Sequence, residues 1–220
     1  MSNSAHAPLG PPGTPLSAPR HAMRCSCGSF RAVLRPPRGT RAVCYCHDCQ
    51  AFAHYLGLPE GMLDEAGGTP IVAVRPRHVV VVAGAEHLAC MALTERGMLR
   101  WYTQCCNTPI GNTPRSIPQH HLGLVHSCLE GGSAELEASF GPVKMRVNRN
   151  SAKSPIAPVP ASTFVPALLR FTAAMLWARL SGRYKFNPFF DPRNGAPVVK
   201  PRVLTAEEHA GLMRAVEGGG

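Results

Sequence analysis

The chain has 220 residues with 45% hydrophobic and 16% charged residues, which suits a folded globular protein and excludes a highly charged disordered one. Twenty-two prolines and 21 glycines argue for short strands and many turns and against a helical bundle. The formal charge of +10 is uneven: residues 1–140 carry 11 Arg against 9 Asp or Glu, and residues 141–220 carry 12 Lys or Arg against 4 Asp or Glu.

Met1 to Ala22 is rich in Pro, Ser, Ala and Gly, and is expected to be a disordered tail. Met1 to Pro19 holds no apolar run of the length a signal peptide or membrane span needs. With the cysteine pattern below, this gives a cytoplasmic, reducing compartment as the expectation. A zinc-binding, β-rich domain is expected over residues 23–150, followed by a linker and C-terminal extension over 151–220. Aromatic residues make up only 6% of the chain, so the core is expected to lean on Val, Leu, Ala and Met.

In chain order, Cys25-Ser26-Cys27-Gly28 forms a turn leading into a strand that ends at Leu34. A second strand runs from Arg41 to Cys46. Gln50 to Leu56 forms a short helical or irregular turn. Pro70–Val74 and Val79–Val82 are β-branched and apolar and read as strands; Leu88–Leu93 and Met98–Thr103 read as two more, with Gly97 as a candidate hairpin turn between them. Asn107 to Pro109 stops the last of them, and His120–His126 reads as one more. Thr163 to Leu180 has helical periodicity through Phe164, Leu168, Phe171, Met175 and Leu176. With only Arg170 and Arg179 charged, it reads as a packed or dimer-forming helix rather than a membrane anchor. A last short helix is expected from Ala206 to Val216.

Seven of the nine cysteines fall in three tight groups: Cys25 and Cys27; Cys44, Cys46 and Cys49; Cys105 and Cys106. Such spacing points to metal ligands rather than disulfides. Cys90 and Cys128 read as buried small hydrophobes. The first and third groups together offer four thiolates, enough for a closed structural zinc site. Neighbours on a strand face opposite ways, so Cys105 and Cys106 share an ion only if the chain turns between them. Otherwise one of them is the ligand, or the two form a vicinal disulfide or redox pair.

In Cys44-Tyr45-Cys46-His47-Asp48-Cys49 the first two sulfurs share a face of an extended segment, and a turn at Asp48 brings in Cys49. Three thiolates leave one zinc position to fill. Either it is open for a substrate thiol or water, or His54, better placed than His47, completes a structural Cys₃His site. Asp48 and His47 stand where an acid, a base or a ligand-orienting group would, with a plain turn residue as the other reading of Asp48; Arg100 and Trp101 read as plain strand residues, with an anion-accepting rim as the alternative.

The order Cys-x-Cys-Gly, Cys-x-Cys-x-x-Cys, Cys-x-Thr-Pro resembles the family of glutathione-dependent formaldehyde-activating enzymes, which includes centromere protein V. It is carried by Cys25–Gly28, Cys44–Gln50 and Cys106-Asn107-Thr108-Pro109, across about Met23 to Ser127. The resemblance implies a mainly β fold of small stacked antiparallel sheets, a β-tent. It implies one structural zinc at the first and third groups and one exchangeable zinc at the central group. The activity it implies is carbon–sulfur lyase-like: addition of glutathione to formaldehyde and its reversal. The family's third motif usually reads Cys-x-x-Cys-Gly-Thr-Pro; here Thr103 stands at its first Cys and Asn107 at its Gly.

Two readings of other classes remain. One is a non-catalytic zinc module whose basic C-terminal part engages nucleic acid or another polyanion; scattered basic residues without interleaved aromatics count against single-strand binding. The other is a zinc buffer or thiol redox sensor. The sequence sets no oligomeric state.

Overall fold

The computed structural model describes residues 20–36 and 38–218. The disordered tail expected over Met1 to Ala22 lies mostly outside them, but His21 and Ala22 already belong to a strand.

Among the described residues the chain is mainly β, with eleven strands and five helices. The strands and helices in order are β1 (His21–Arg24), β2 (Arg31–Leu34), β3 (Thr40–Cys44), α1 (His47–Leu56) and α2 (Pro59–Met62). Then come β4 (Thr69–Val74), β5 (Val79–Ala83), β6 (Leu88–Ala92), β7 (Leu99–Thr103), β8 (Pro109–Thr113) and β9 (Leu122–Val125). The rest are α3 (Ser133–Phe140), β10 (Met145–Val147), α4 (Ala161–Leu180), β11 (Arg202–Val203) and α5 (Ala206–Gly218).

Two sheets result. The smaller is antiparallel, in the order β1-β2-β5, and the larger runs β10-β3-β4-β9-β8-β7-β6-β11. The larger sheet is antiparallel inside and gains one parallel strand at each edge, β10 on β3 and β11 on β6. Period-2 alternation places its side chains in two cores. From β6, Leu88, Cys90 and Ala92 enter one cluster, and Met91 enters the other with Leu93 just beyond the strand.

The first cluster is built round Trp101, which packs against a tilted Phe189 ring at 4.9 Å and an edge-on Phe190 ring at 6.2 Å between ring centroids. The second lies under α1, where Phe52 and Leu56 meet Met91, Leu204 and Val216. Few as they are, the aromatic residues are used inside: Trp101, Tyr45, Phe30, Phe52, Phe189 and Phe190 lead the fully buried side chains. By number, Val, Leu, Ala and Met still make up most of the buried apolar residues, as composition leads one to expect. The C-terminal part is woven into the same body, since Phe189 and Phe190 complete one core, α5 covers α1, and β11 extends the sheet.

The elements differ from expectation where polar residues carry them. β3 stops at Cys44, because Cys46 is already the residue preceding α1, and α1 starts at His47 rather than Gln50. Pro109–Thr113 is a buried strand, although Asn107 to Pro109 reads as a stop. Gly111 is needed there, since a Cβ would lie 2.5 Å from the Gly123 carbonyl on β9. Among the described residues, α4 is the one helix long and apolar enough to cross a membrane, by length and composition only. Its Ala167 and Ala178 are buried, while Leu169, Leu176, Trp177 and Leu180 are exposed.

Candidate metal centres

The first centre is assembled from sequence-distant turns. Met23 to Arg24 closes β1, and the chain folds back through Gly28, whose φ of 77° lets the turn close. The Phe30 amide donates to the Cys25 sulfur at 3.2 Å, and the Gly28 amide to the Cys25 carbonyl at 3.0 Å. β7 ends at Thr103, Gln104 to Cys106 turn, and Asn107 adopts a left-handed φ of 55°. That turn removes the strand objection to adjacent ligands.

The sulfurs of Cys25, Cys27, Cys105 and Cys106 lie within 4.8 Å of one another. The pairs run 3.5 Å for Cys25–Cys27, 3.4 Å for Cys27–Cys105, 3.9 Å for Cys25–Cys105 and 3.7 Å for Cys105–Cys106. A tetrahedral ion with bonds of about 2.3 Å to sulfur sets its ligands about 3.8 Å apart. The four cysteines fit such an ion, and all nine cysteines are free of disulfides. Thr103, at the motif position of a cysteine, sits beside the group instead, its hydroxyl 3.4 Å from the Cys106 sulfur, while the Thr108 hydroxyl is at 3.2 Å. Desolvation opposes ionisation of Cys106, but hydrogen bonds from Ser26, Thr103 and Thr108 bring it down to about 4. Desolvation and the Cys27 thiol push Cys105 up to about 12, so protons are shared unevenly across the group.

The second centre is local. Cys44 is the last residue of β3, Cys46 precedes α1, and Cys49 lies in its first turn, with the Cys49 amide donating to the Cys46 carbonyl at 3.0 Å. The three sulfurs lie within 4.8 Å of one another, Cys44 and Cys46 at 3.4 Å. The open end of α1 directs its amides and its dipole at this spot, which favours thiolate. Cys44 is drawn far below the usual thiol range by hydrogen bonds from Cys46 and Cys49. In turn Cys46 and Cys49 are pushed up by their bonds to Cys44, so one thiolate is shared by three sulfurs.

Two residues that spacing rules do not reach complete this centre. β10 pairs in parallel with β3, Val147 beside Cys44, and Asn148 follows with a left-handed φ of 55°. Its amide thereby donates to the Cys44 sulfur at 3.3 Å. On β7, alternation sends Trp101 into one core and Arg100 to the other face, under α1. Arg100 is 2% exposed; its guanidinium donates to the Cys49 sulfur at 3.7 Å and to Asp48 Oδ2 at 3.4 Å, and lies 5.6 Å above the Phe52 ring. The alternating pattern of Leu99–Thr103 is the signal that separates Arg100 from Trp101. Nothing in the sequence points to Asn148.

Among the described residues neither group of ligand atoms includes His47, His54 or Asp48. His54 follows Cys49 by five residues on α1, a rotation of about 140° that turns it away from the sulfurs. Asp48 is held by Arg100, and His47 is exposed. Cys90 and Cys128 are buried at 2% and 1% exposure, and burial pushes both thiols up to about 12.

No curated protein matches the chain. A crystal structure of a Rhodobacter sphaeroides protein is similar at 20% identity and a TM-score of 0.38, over 57% of this chain and 99% of that one, too low a likeness to carry an argument. Residues 19–200 match a family described as "Family of unknown function (DUF6151)". That span is most of the 220 residues and takes in both cysteine centres, and the chain belongs to this family.

Proposed function

We propose that this protein is a zinc-dependent, carbon–sulfur lyase-like protein acting on the adduct of a small thiol, such as glutathione, with formaldehyde or a related aldehyde. The observation that carries the reading is the contrast between the centres: four sulfurs close one, and three leave a ligand position free at the other. Sulfur-only donor sets at these separations suit zinc. The resemblance of the three motifs to formaldehyde-activating enzymes supports the same chemistry.

Cys44, Cys46 and Cys49 would hold the zinc, which when bound would acidify a thiol brought to it. The chain's residues set the surroundings. Three thiolates and a divalent ion sum to −1, and the Arg100 guanidinium beside Cys49 balances that charge. Asn148 fixes the Cys44 sulfur through its amide. Asp48, half-exposed and anchored to Arg100, can deliver or accept the proton as the aldehyde oxygen becomes a hydroxyl. In the forward direction the thiolate sulfur bonds to the aldehyde carbon and the oxygen gains a proton; the reverse breaks that bond and returns the proton. A depression of about 310 Å³ lined by His47, Gln50, Asn150 and Lys153 opens beside the start of α1, with room for the polar body of a peptidyl thiol.

Elemental analysis of wild type and a Cys44→Ser/Cys46→Ser/Cys49→Ser variant tests the reading. About two zincs per chain falling to about one is expected, with glutathione binding and exchange between free and adduct formaldehyde by NMR lost in the variant. Equal zinc in both proteins, or exchange no faster than the spontaneous reaction, overturns it.

A further inference from the structure

Away from the sulfurs, a cavity of about 460 Å³ opens between the strand ends and α4. Arg35 after β2, Arg75 and Arg77 after β4, and Arg170 on α4 line it, together with His78 and His120. Among the described residues that line it, none is acidic. Among the described residues, none of these four arginines is in an ion pair. The Nε atoms of Arg35 and Arg77, Nδ1 of His78 and both ring nitrogens of His120 are buried without a hydrogen-bond partner. His120 is 2% exposed and His78 8%.

Such a collection is costly by itself. Buried donors without acceptors lose their hydration, and like charges gathered in a concave site repel one another. Burial and then Arg77 hold His120 down to about 3, and burial and then Arg77 hold His78 down to about 4. Burial and Arg75 press Arg77 the same way. A multiply charged anion would remove each of these costs together. Guanidinium forks match phosphoryl oxygens two at a time, and four of them exceed what one carboxylate uses. One wall is apolar, from Ala73 and Val74 to Phe171 and Met175, so the site also takes a carbon body.

We infer that this cavity binds a phosphate-bearing small molecule of at least two negative charges, through Arg35, Arg75, Arg77 and Arg170 with the buried imidazoles of His78 and His120. The site is separate from the sulfur centre. Thr40 lines the cavity and Cys44 ends the same strand, four residues on, about 13 Å away at ~3.3 Å per residue. The same phosphoryl chemistry comes from two sources, a soluble phosphate compound or a lipid headgroup, and α4, which lines the cavity through Arg170, Phe171, Ala174 and Met175, also exposes Leu169, Leu176 and Trp177.

Calorimetric titration with inorganic pyrophosphate, and sedimentation with vesicles containing phosphatidic acid, separate these sources. Pyrophosphate binding tighter than about 1 mM, weakened about 10-fold or more by Arg77→Gln and by Arg170→Gln, supports the site with a soluble ligand. Vesicle binding alone, lost in the same variants, supports it with a headgroup ligand. Arg170 is exposed on α4, so its variant keeps the fold, which circular dichroism checks. No binding of either probe, binding indifferent to both variants, or pyrophosphate binding abolished in the Cys44→Ser/Cys46→Ser/Cys49→Ser protein overturns the proposal.

Discussion

The guanidinium of Arg100, buried on β7, meets the sulfur of Cys49 at 3.7 Å on the first turn of α1. Removing it leaves an excess negative charge among buried sulfurs and frees Asp48. Arg100→Met is expected to weaken zinc at the three-cysteine centre by about 10- to 100-fold. The four-cysteine centre should keep its ion. Competition with a chromophoric chelator, read as two release phases, checks this; unchanged affinity at both centres would remove Arg100 from the metal environment.

The four-cysteine centre makes a sharper demand on two adjacent residues. Cys105→Ser and Cys106→Ser should each lose one zinc and cost more than about 3 kcal/mol of stability. Thr103→Val, which removes only the hydroxyl beside Cys106, should cost about 1 kcal/mol and keep the metal. Denaturant melts with metal analysis decide it. Retention of zinc in either serine variant would mean three ligands suffice.

Acid stability depends on imidazoles buried in their neutral form. His78, His121 and His126 are held down to about 4 and His120 to about 3, by burial in every case. A histidine depressed in the folded state takes up its proton more readily when unfolded. Its contribution is therefore complete above about pH 6.5 and is lost as pH falls from there towards 4. Thiolate protonation adds its own loss, so the comparison is between wild type and His120→Asn. Removing His120 should flatten the acid limb by up to about 1.4 kcal/mol per pH unit, measured by urea melts between pH 4 and 7. Parallel limbs would show that His120 is not held neutral.

The C-terminal segment is part of the core. Phe189 is fully buried and packs against Trp101, so Phe189→Ala should destabilise the whole protein by about 3–5 kcal/mol. One cooperative melt shifted as a unit is the expected result. A biphasic melt, with only the C-terminal part loosened, would separate it from the β body.

The readable parts of this chain are those where pattern and geometry coincide. β4 and β5 carry β-branched runs, β6 is apolar throughout and β7 alternates, and all four appear within a residue of where these patterns place them. The three-cysteine group follows from spacing, because a short loop leaves cysteines little freedom; for the other, spacing gives two cysteine pairs that the fold then brings together. The hidden parts depend on tertiary partners. Asn148 reaches Cys44 only because β10 returns beside β3. Arg35, Arg75, Arg77 and Arg170 are scattered in sequence and converge only when β2, β4 and α4 are packed. Pro109–Thr113 has the composition of a loop and becomes a strand because β7 and β9 flank it.

The two sulfur centres also differ in how much chain each encloses. Cys44 to Cys49 is a single stretch of six residues, whereas Cys25 and Cys105 are 80 residues apart. Closing the larger ring removes about 4.5 kcal/mol of freedom from the unfolded chain, and closing the smaller about half as much. An ion in the first would tie distant parts of the chain together, whereas one in the second would link only neighbours in sequence. Stripping metal with graded chelator should therefore empty the short ring from a folded protein, and reach the long ring only as the fold gives way.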